Sequence, residues 1–345
     1  MRLENQMEER SSAIRPYAVG IDVGGTKIAA GLVNRSGRIH HRYMTHTHSE
    51  QDPEFVIDAI VQAYRALIEG SGVGPADIEA VGLGFPGNTN GAAGVVLSCS
   101  NLPAWDNVPL RDIVAARIGM QVLLENDANL CAVGEHRYGA GRGVRNMCYV
   151  TISTGFGMGI IIENRLYAGQ NGMAGELGHV VIAPGGPYCT CGKRGCLMAY
   201  ASGIGLSRMV YEKLEAGAET DLRDRVPADG KRVPGEVIAQ AASEGDEVAQ
   251  EIIRTAGTYA GIGLSVAVQI LNPELIVVGG GLTLIGAMLE ESMLTAMQEH
   301  TQPGLRDTVT IKPSELGNDL GILGAAAKVF ADAEQCQAQV NACSG

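Results

Sequence analysis

Twice in this chain an apolar run leads into a glycine-bearing turn and out again into a second apolar run. Residues 17–33 read YAVGIDVGGTKIAAGLV, and residues 148–163 read CYVTISTGFGMGIIIE. Each is the pattern of two strands joined by a tight turn. Matching Ile21 with Ile152 sets Asp22, Gly24 and Thr26 opposite Ser153, Gly155 and Gly157. This faint duplication predicts two lobes built on one plan. Between the hairpins, residues 52–68 carry apolar side chains at helical spacing, and the apolar run 78–85 is closed by Pro86-Gly87. Strands alternating with helices predict an α/β fold. A chain of 345 residues has the length for two such lobes.

Beyond the second hairpin the spacing predicts a cysteine-rich loop, helices over 205–216 and 248–269, and a strand over 275–278 that runs into Gly279-Gly280-Gly281. A last helix is expected over 321–333. Residues 217–234, rich in charge, Gly and Pro, read as a surface excursion, and the final dozen residues as a frayed tail.

Charge and hydropathy exclude several classes. The net charge is −12 and the 26 basic residues are scattered, so nucleic acid is not an expected partner. The first sixteen residues hold no apolar stretch, so no secretory signal is expected. The most apolar segment, 261–282, is interrupted by Gln269, Asn272, Pro273 and Glu274, too often for a membrane span. A cytoplasmic protein follows as the expectation, with its eight cysteines as reduced thiols rather than disulfides. The 47 glycines are roughly twice the usual share of about 7%, and they cluster after apolar runs, where backbone can approach a ligand.

Four constellations carry chemistry. Asp22-Val23-Gly24-Gly25-Thr26-Lys27 puts a carboxylate at a strand end, where it can hold Mg²⁺ directly or through water, and follows it with backbone N–H groups able to cradle phosphate. An ordinary Asp/Gly hairpin turn fits the hexapeptide equally well, and the spacing is not that of a Walker A loop. Thr154-Gly155 in the second hairpin offers another grip on a triphosphate. Glu125-Asn126-Asp127-Ala128-Asn129 follows the apolar run 121–124, where α/β folds place ligands. Asp127 suits general base work on a hydroxyl, although Asn126 or Asp127 also reads as a helix N-cap. His179, Cys189, Cys191 and Cys196 supply the four N/S ligands of a closed tetrahedral Zn²⁺ site, with free thiols or a redox pair as the alternative. Glu176 stands three residues before His179. Asn101, in NLPAW with the single tryptophan, offers a donor and an acceptor to a hydroxyl-rich ligand or caps a turn.

Taken in this order and spacing, the Asp22–Lys27 turn, Glu125–Asn129, Gly175-Glu176-Leu177-Gly178-His179 and the Cys189–Cys196 cluster resemble the sugar kinases of the ROK family (repressor, open reading frame, kinase), above all the bacterial glucokinases. The likeness covers residues 17–330. It implies an actin-like ATPase fold, two ribonuclease-H-like lobes around a central cleft. The lobes would be 16–126 with 318–334, and 127–317 with the zinc loop and the nucleotide contacts. Residues 1–15 and 335–345 would be flexible tails. It further implies ATP phosphates held by Gly24, Gly25, Thr26 and Lys27 and by Thr154 and Gly155, with Gly280 facing adenosine. Asn101, Asn126, Asp127, Glu176 and His179 match positions that contact sugar hydroxyls, with Asp127 as base toward the 6-hydroxyl and His179 giving one ring nitrogen each to zinc and sugar. A homodimer is implied as well. Two departures stand out. Where the family carries a glutamate two places after the last cysteine, for the C1/C2 end of the sugar, this chain has Met198, which admits a modified sugar or a cyclitol as substrate. The second phosphate turn is also poorer in glycine. A ROK transcriptional regulator, the competing reading, would need a helix-turn-helix domain, for which the sixteen residues before Tyr17 are too few.

Overall fold

The computed structural model describes residues 15–48, 51–99, 102 and 104–343. The chain divides into two compact units: Met1–Gly139 with Gly169–Met173 and Leu316–Gly345, and Ala140–Ala168 with Ala174–Glu315.

The first unit opens with β1 (Tyr17–Val23), β2 (Lys27–Asn34) and β3 (Ile39–His46) in an antiparallel meander, followed by α1 (Pro53–Ser71) and β4 (Ile78–Phe85). A small sheet of β5 (Asn88–Asn90), β6 (Val95–Ser98) and β7 (Asp106–Val108) comes next, then α2 (Leu110–Ile118), β8 (Val122–Asn126) and α3 (Asp127–Tyr138). The main sheet has the order β3-β2-β1-β4-β8, with β4 parallel to both β1 and β8. Period-two alternation sorts its side chains. Val19, Ile21 and Val23 pack with Ile57, Ile60 and Leu67 of α1 on one face. Helix α1 is bounded by Pro53 in its first turn and by Gly72, left-handed at φ 68°, the expected start and stop.

In the second unit β9 (Met147–Ile152) pairs antiparallel with β10 (Phe156–Ile162), which pairs with β11 (Arg165–Leu166). Helices α4 (Gly203–Glu215), α5 (Gly235–Ser243) and α6 (Glu247–Leu271) follow, then β12 (Leu275–Gly279), α7 (Ala287–His300) and β13 (Thr310–Pro313). The order β11-β10-β9-β12-β13 repeats that of the first sheet, with β12 parallel to β9 and to β13. The duplication is therefore real at the level of topology. Strand β1 ends at Val23 and β9 at Ile152, each just before its turn. The apolar α6 side chains Leu264 and Val268 cover Val150, Ile152 and Val278, each such buried side chain stabilising the unit by about 1.5–3 kcal/mol.

The last helix, α8 (Leu320–Cys343), belongs to the first unit and seals the second face of its sheet, where Ile322, Ala326 and Phe330 pack on Ala18, Val33 and Ala80. Three expectations change. Residues 335–343 are helical rather than a frayed tail, because nothing after Gly324 breaks the helix, although their side chains up to Ala342 are exposed. Helix α3, assigned from sequence to the second lobe, lies in the first unit, where it follows β8 directly. Residues 217–234 are not simply a surface excursion, since Leu222 and Val233 are buried in the core. The expected tail 1–15 lies outside the described residues except for Arg15. Among the described residues no helix is long and apolar enough to cross a membrane.

Candidate active site

Strand β1 delivers Asp22 to the edge of its sheet, and the chain turns through Gly24, Gly25 and Thr26 before re-entering at Lys27. Gly24 N donates to Lys27 O across the turn at 2.9 Å. Thr47, fully buried just after β3, fastens the turn from behind: its Oγ1 donates to Gly24 O (2.7 Å) and its N to Thr26 O (3.1 Å). The exposed Gly25, Thr26 and Lys27 are thus presented by a fixed backbone.

Because β1, β4 and β8 run parallel, their carboxyl ends share one edge, the usual ligand edge of such sheets. Asp22 and Asp127 both emerge there. Burial, then the negative charge of Asp127, pushes the Asp22 carboxyl up to about 6, against the opposing pull of Lys27. A Cβ on Gly321 of α8 would collide with this carboxylate.

Asn126 caps α3, accepting from Ala128 N (2.9 Å) and Asn129 N (3.3 Å), while its Nδ2 donates to Gly87 O (3.0 Å). The cap is thus Asn126, and Asp127 is the first helical residue, its Oδ1 accepting from Ala128 N at 2.8 Å. Beneath them the buried Glu125 accepts from Asn126 N and from Asn129 Nδ2, both at 2.9 Å. Burial raises its pKa.

In the second unit, parallel pairing of β9 and β12 sets Gly279 beside Thr151, so the triple glycine arrives next to the turn Ser153-Thr154-Gly155. Gly280 (φ 96°) lies so close to this strand end that a Cβ there would stand 2.5 Å from Ile152 O. Ser153 N donates to Gly155 O (3.0 Å), and Gly203 N and Ile204 N at the start of α4 donate to Ser153 O (2.8 Å) and Thr154 O (3.3 Å).

The Gly175–His179 segment follows from strand β10. A Cβ on Gly175 would collide with the carbonyl of Met158, and one on Gly178 with that of Phe156. Glycine at both places lets the segment lie directly on the strand that leaves the Thr154-Gly155 turn. That contact fixes Glu176 and His179. Past His179 the chain doubles back: Val181 bridges Cys196, Tyr188 bridges Arg194, and Leu197 N donates to Val180 O at 2.9 Å. The donor atoms of His179, Cys189, Cys191 and Cys196 consequently lie within 4.8 Å of one another. Cys191 Sγ is 3.7 Å from Cys196 Sγ, and Cys189 Sγ is 3.4 Å from His179 Nδ1. Bonds of about 2.3 Å to sulfur and about 2.0 Å to nitrogen give tetrahedral edges of roughly 3.8 Å between sulfurs and roughly 3.5 Å from sulfur to nitrogen, so the donor set fits a small tetrahedral ion. Partial burial, then the Lys193 charge, lowers the His179 pKa, which favours the neutral, ligating imidazole. Its Nε2 faces Glu176 Oε2 at 3.9 Å, and burial raises the Glu176 pKa.

The ROK family model matches residues 18–331. The chain belongs to the ROK family. It is similar to a glucokinase from Streptomyces coelicolor, 38% identical over 315 residues that cover 89% of this chain and 96% of that protein. A ROK hexokinase from Thermus thermophilus has a TM-score of 0.78 at 32% identity, covering 92% of this chain and 99% of its own. A ROK family glucokinase from Streptomyces griseus in complex with glucose and AMPPNP has a TM-score of 0.76 at 36% identity, covering 90% and 98%. The fold is accordingly that of the actin-like ATPases.

Within this ROK chain the structure gathers most expected residues into three groups: Asp22 with Asp127, Thr154 and Gly155 with Gly280, and Glu176 with His179 and the cysteines. Asn101 lies outside the described residues. Two participants carried no sequence signal, Thr47 behind the first turn and Arg232, whose Nη1 donates to Thr154 Oγ1 at 2.6 Å; Glu125, legible only as part of its motif, lies beneath the Asn126 cap. Met198 is 7% exposed, and its sulfur lies 3.6 Å from where a Cβ would stand on Gly155.

Proposed function

We propose that this ROK-family chain is an ATP-dependent hexose kinase that transfers the γ-phosphate of ATP to a sugar 6-hydroxyl, with Asp127 as general base. The observation that carries the reading is the pair of carboxylates beside the Gly24–Lys27 turn, with Asp127 near enough for its charge to shift Asp22. A sugar hydroxyl is a weak nucleophile. Asp127 orients it and takes its proton as the bond to phosphorus forms.

Gly24, Gly25, Thr26 and Lys27 bind phosphate, as do Thr154 and Gly155, with Gly280 against the adenosine. Asp22 would hold Mg²⁺, and a buried carboxylate that resists standing as a lone anion fits such a partner. When bound, the ion neutralises charge on the transferring phosphoryl group. Asn101, Asn126, Glu176 and His179 read the sugar hydroxyls. Asn126 has a single amide N–H to give, since its other groups are committed to the cap and to Gly87. His179, Cys189, Cys191 and Cys196 would hold a structural Zn²⁺ that orients the ring, leaving Nε2 for the sugar. The chain acts in the cytoplasm as a homodimer.

The similarity to glucokinases favours glucose. The buried, apolar Met198 favours a second reading, a C1- or C2-modified sugar or a cyclitol. A coupled ADP-release screen over glucose, mannose, fructose, allose, their N-acetylated forms and cyclitols tests both. Turnover on at least one hexose or cyclitol is expected, and no turnover on any of them overturns the kinase reading.

A further inference from the structure

Arg232 closes the charged stretch between α4 and α5. It is exposed and has no carboxylate partner among the described residues, and its one hydrogen bond goes to the hydroxyl of Thr154. Its backbone is nevertheless fixed. Val233, 1% exposed, donates its N–H to Ser207 Oγ at 2.9 Å, and the Tyr211 hydroxyl donates to Lys231 O at 2.7 Å. On the far side, a Cβ on Gly235 would stand 2.5 Å from Leu282 Cδ2, just beyond the triple glycine. The stretch therefore runs from α4 to the glycine cradle and leaves a guanidinium on the Thr154-Gly155 turn.

An uncompensated guanidinium held by a neutral hydroxyl uses one of five N–H groups. The acceptor that matches its charge and its fork is a phosphate, which takes two parallel hydrogen bonds. We propose that Arg232 is a phosphate-binding residue for the nucleotide, releasing Thr154 Oγ1 to grip the phosphate chain of ATP or ADP. The proposal rests on the assignment of the Thr154-Gly155 turn to phosphate.

Calorimetric titration of the full chain with ADP, adenosine and glucose tests it in the native protein, Arg232→Ala, Arg232→Lys and Gly155→Asp. Arg232→Ala should weaken ADP about ten-fold or more, the scale of charge-assisted hydrogen bonds, and leave adenosine and glucose affinities unchanged. Arg232→Lys should recover part of the loss, and the salt dependence of ADP binding should become shallower without the arginine. Equal weakening of adenosine and ADP by Arg232→Ala would make the residue structural and overturn the proposal, as would unchanged ADP affinity. Gly155→Asp separates the two assignments: if it leaves ADP affinity intact, the phosphate turn itself is misplaced, and if it abolishes ADP binding while Arg232→Ala does not, only the arginine proposal fails.

Discussion

His179 presents Nε2 to Glu176 Oε2 at 3.9 Å while its opposite nitrogen, Nδ1, lies 3.4 Å from Cys189 Sγ. One ring thus links a cluster of thiols to a carboxylate suited to sugar hydroxyls. Removing the metal should loosen the ring before it affects the phosphate turns, since metal sites of this kind order the loops that carry them. Elemental analysis should find about one Zn²⁺ per chain for the single four-ligand set. Cys191→Ser, at an exposed position, should weaken sugar binding more than ATP binding. Metal-free protein with native sugar affinity would remove zinc from the reading.

Asp127→Asn should leave α3 in place, because the cap is made by Asn126. It removes the carboxylate charge felt by Asp22 and, in the proposed mechanism, the proton acceptor. We expect kcat to fall roughly 10²-fold or more, the usual scale for loss of a general base, with the KM for sugar changing far less. A variant that kept native kcat on the best substrate would move the base elsewhere.

Asp22 gives a pH signature. Its folded-state pKa is raised to about 6 by burial and by Asp127, so the native state holds this proton more tightly than the unfolded chain does. The stabilising contribution is present in full below about pH 4, the unfolded value, and is lost as pH rises through about 6. A shift of about two units corresponds to about 3 kcal/mol. Asp22→Asn should therefore match the native melting temperature near pH 4 and exceed it above pH 6 in ligand-free protein, while losing activity. A melting difference that stays constant with pH would refute this account.

The residues legible in the sequence are those whose signals are local. The two hairpins announce themselves by apolar alternation around glycine, and the cysteine cluster by ligand spacing. What stayed hidden depends on long-range contacts: Thr47 acts on Gly24 across 23 positions, and Arg232 on Thr154 across 78. A charged, Gly/Pro-rich stretch has no periodicity to reveal that Leu222 and Val233 anchor it. Glu125 is legible as part of its motif, but its task under Asn126 depends on the packed core around it.

Met198 bears on substrate choice. The 3₁₀ turn Leu197–Ala199 is tied down by Ser202 Oγ donating to Met198 O at 2.6 Å, and the side chain is buried against Gly155. A carboxylate at this place would accept charge-assisted hydrogen bonds from sugar hydroxyls, each worth about 1.5–3 kcal/mol. Methionine offers none, and its flexible thioether accommodates varied shapes. Discrimination for the C1/C2 end should accordingly be weaker by roughly ten-fold to a hundred-fold, with Glu176 and His179 still reading part of the sugar. We expect the native enzyme to show a small ratio of kcat/KM for glucose over 1-deoxyglucose, and Met198→Glu to enlarge it markedly. A strong native preference for glucose that Met198→Glu leaves unchanged would show that this position does not set specificity.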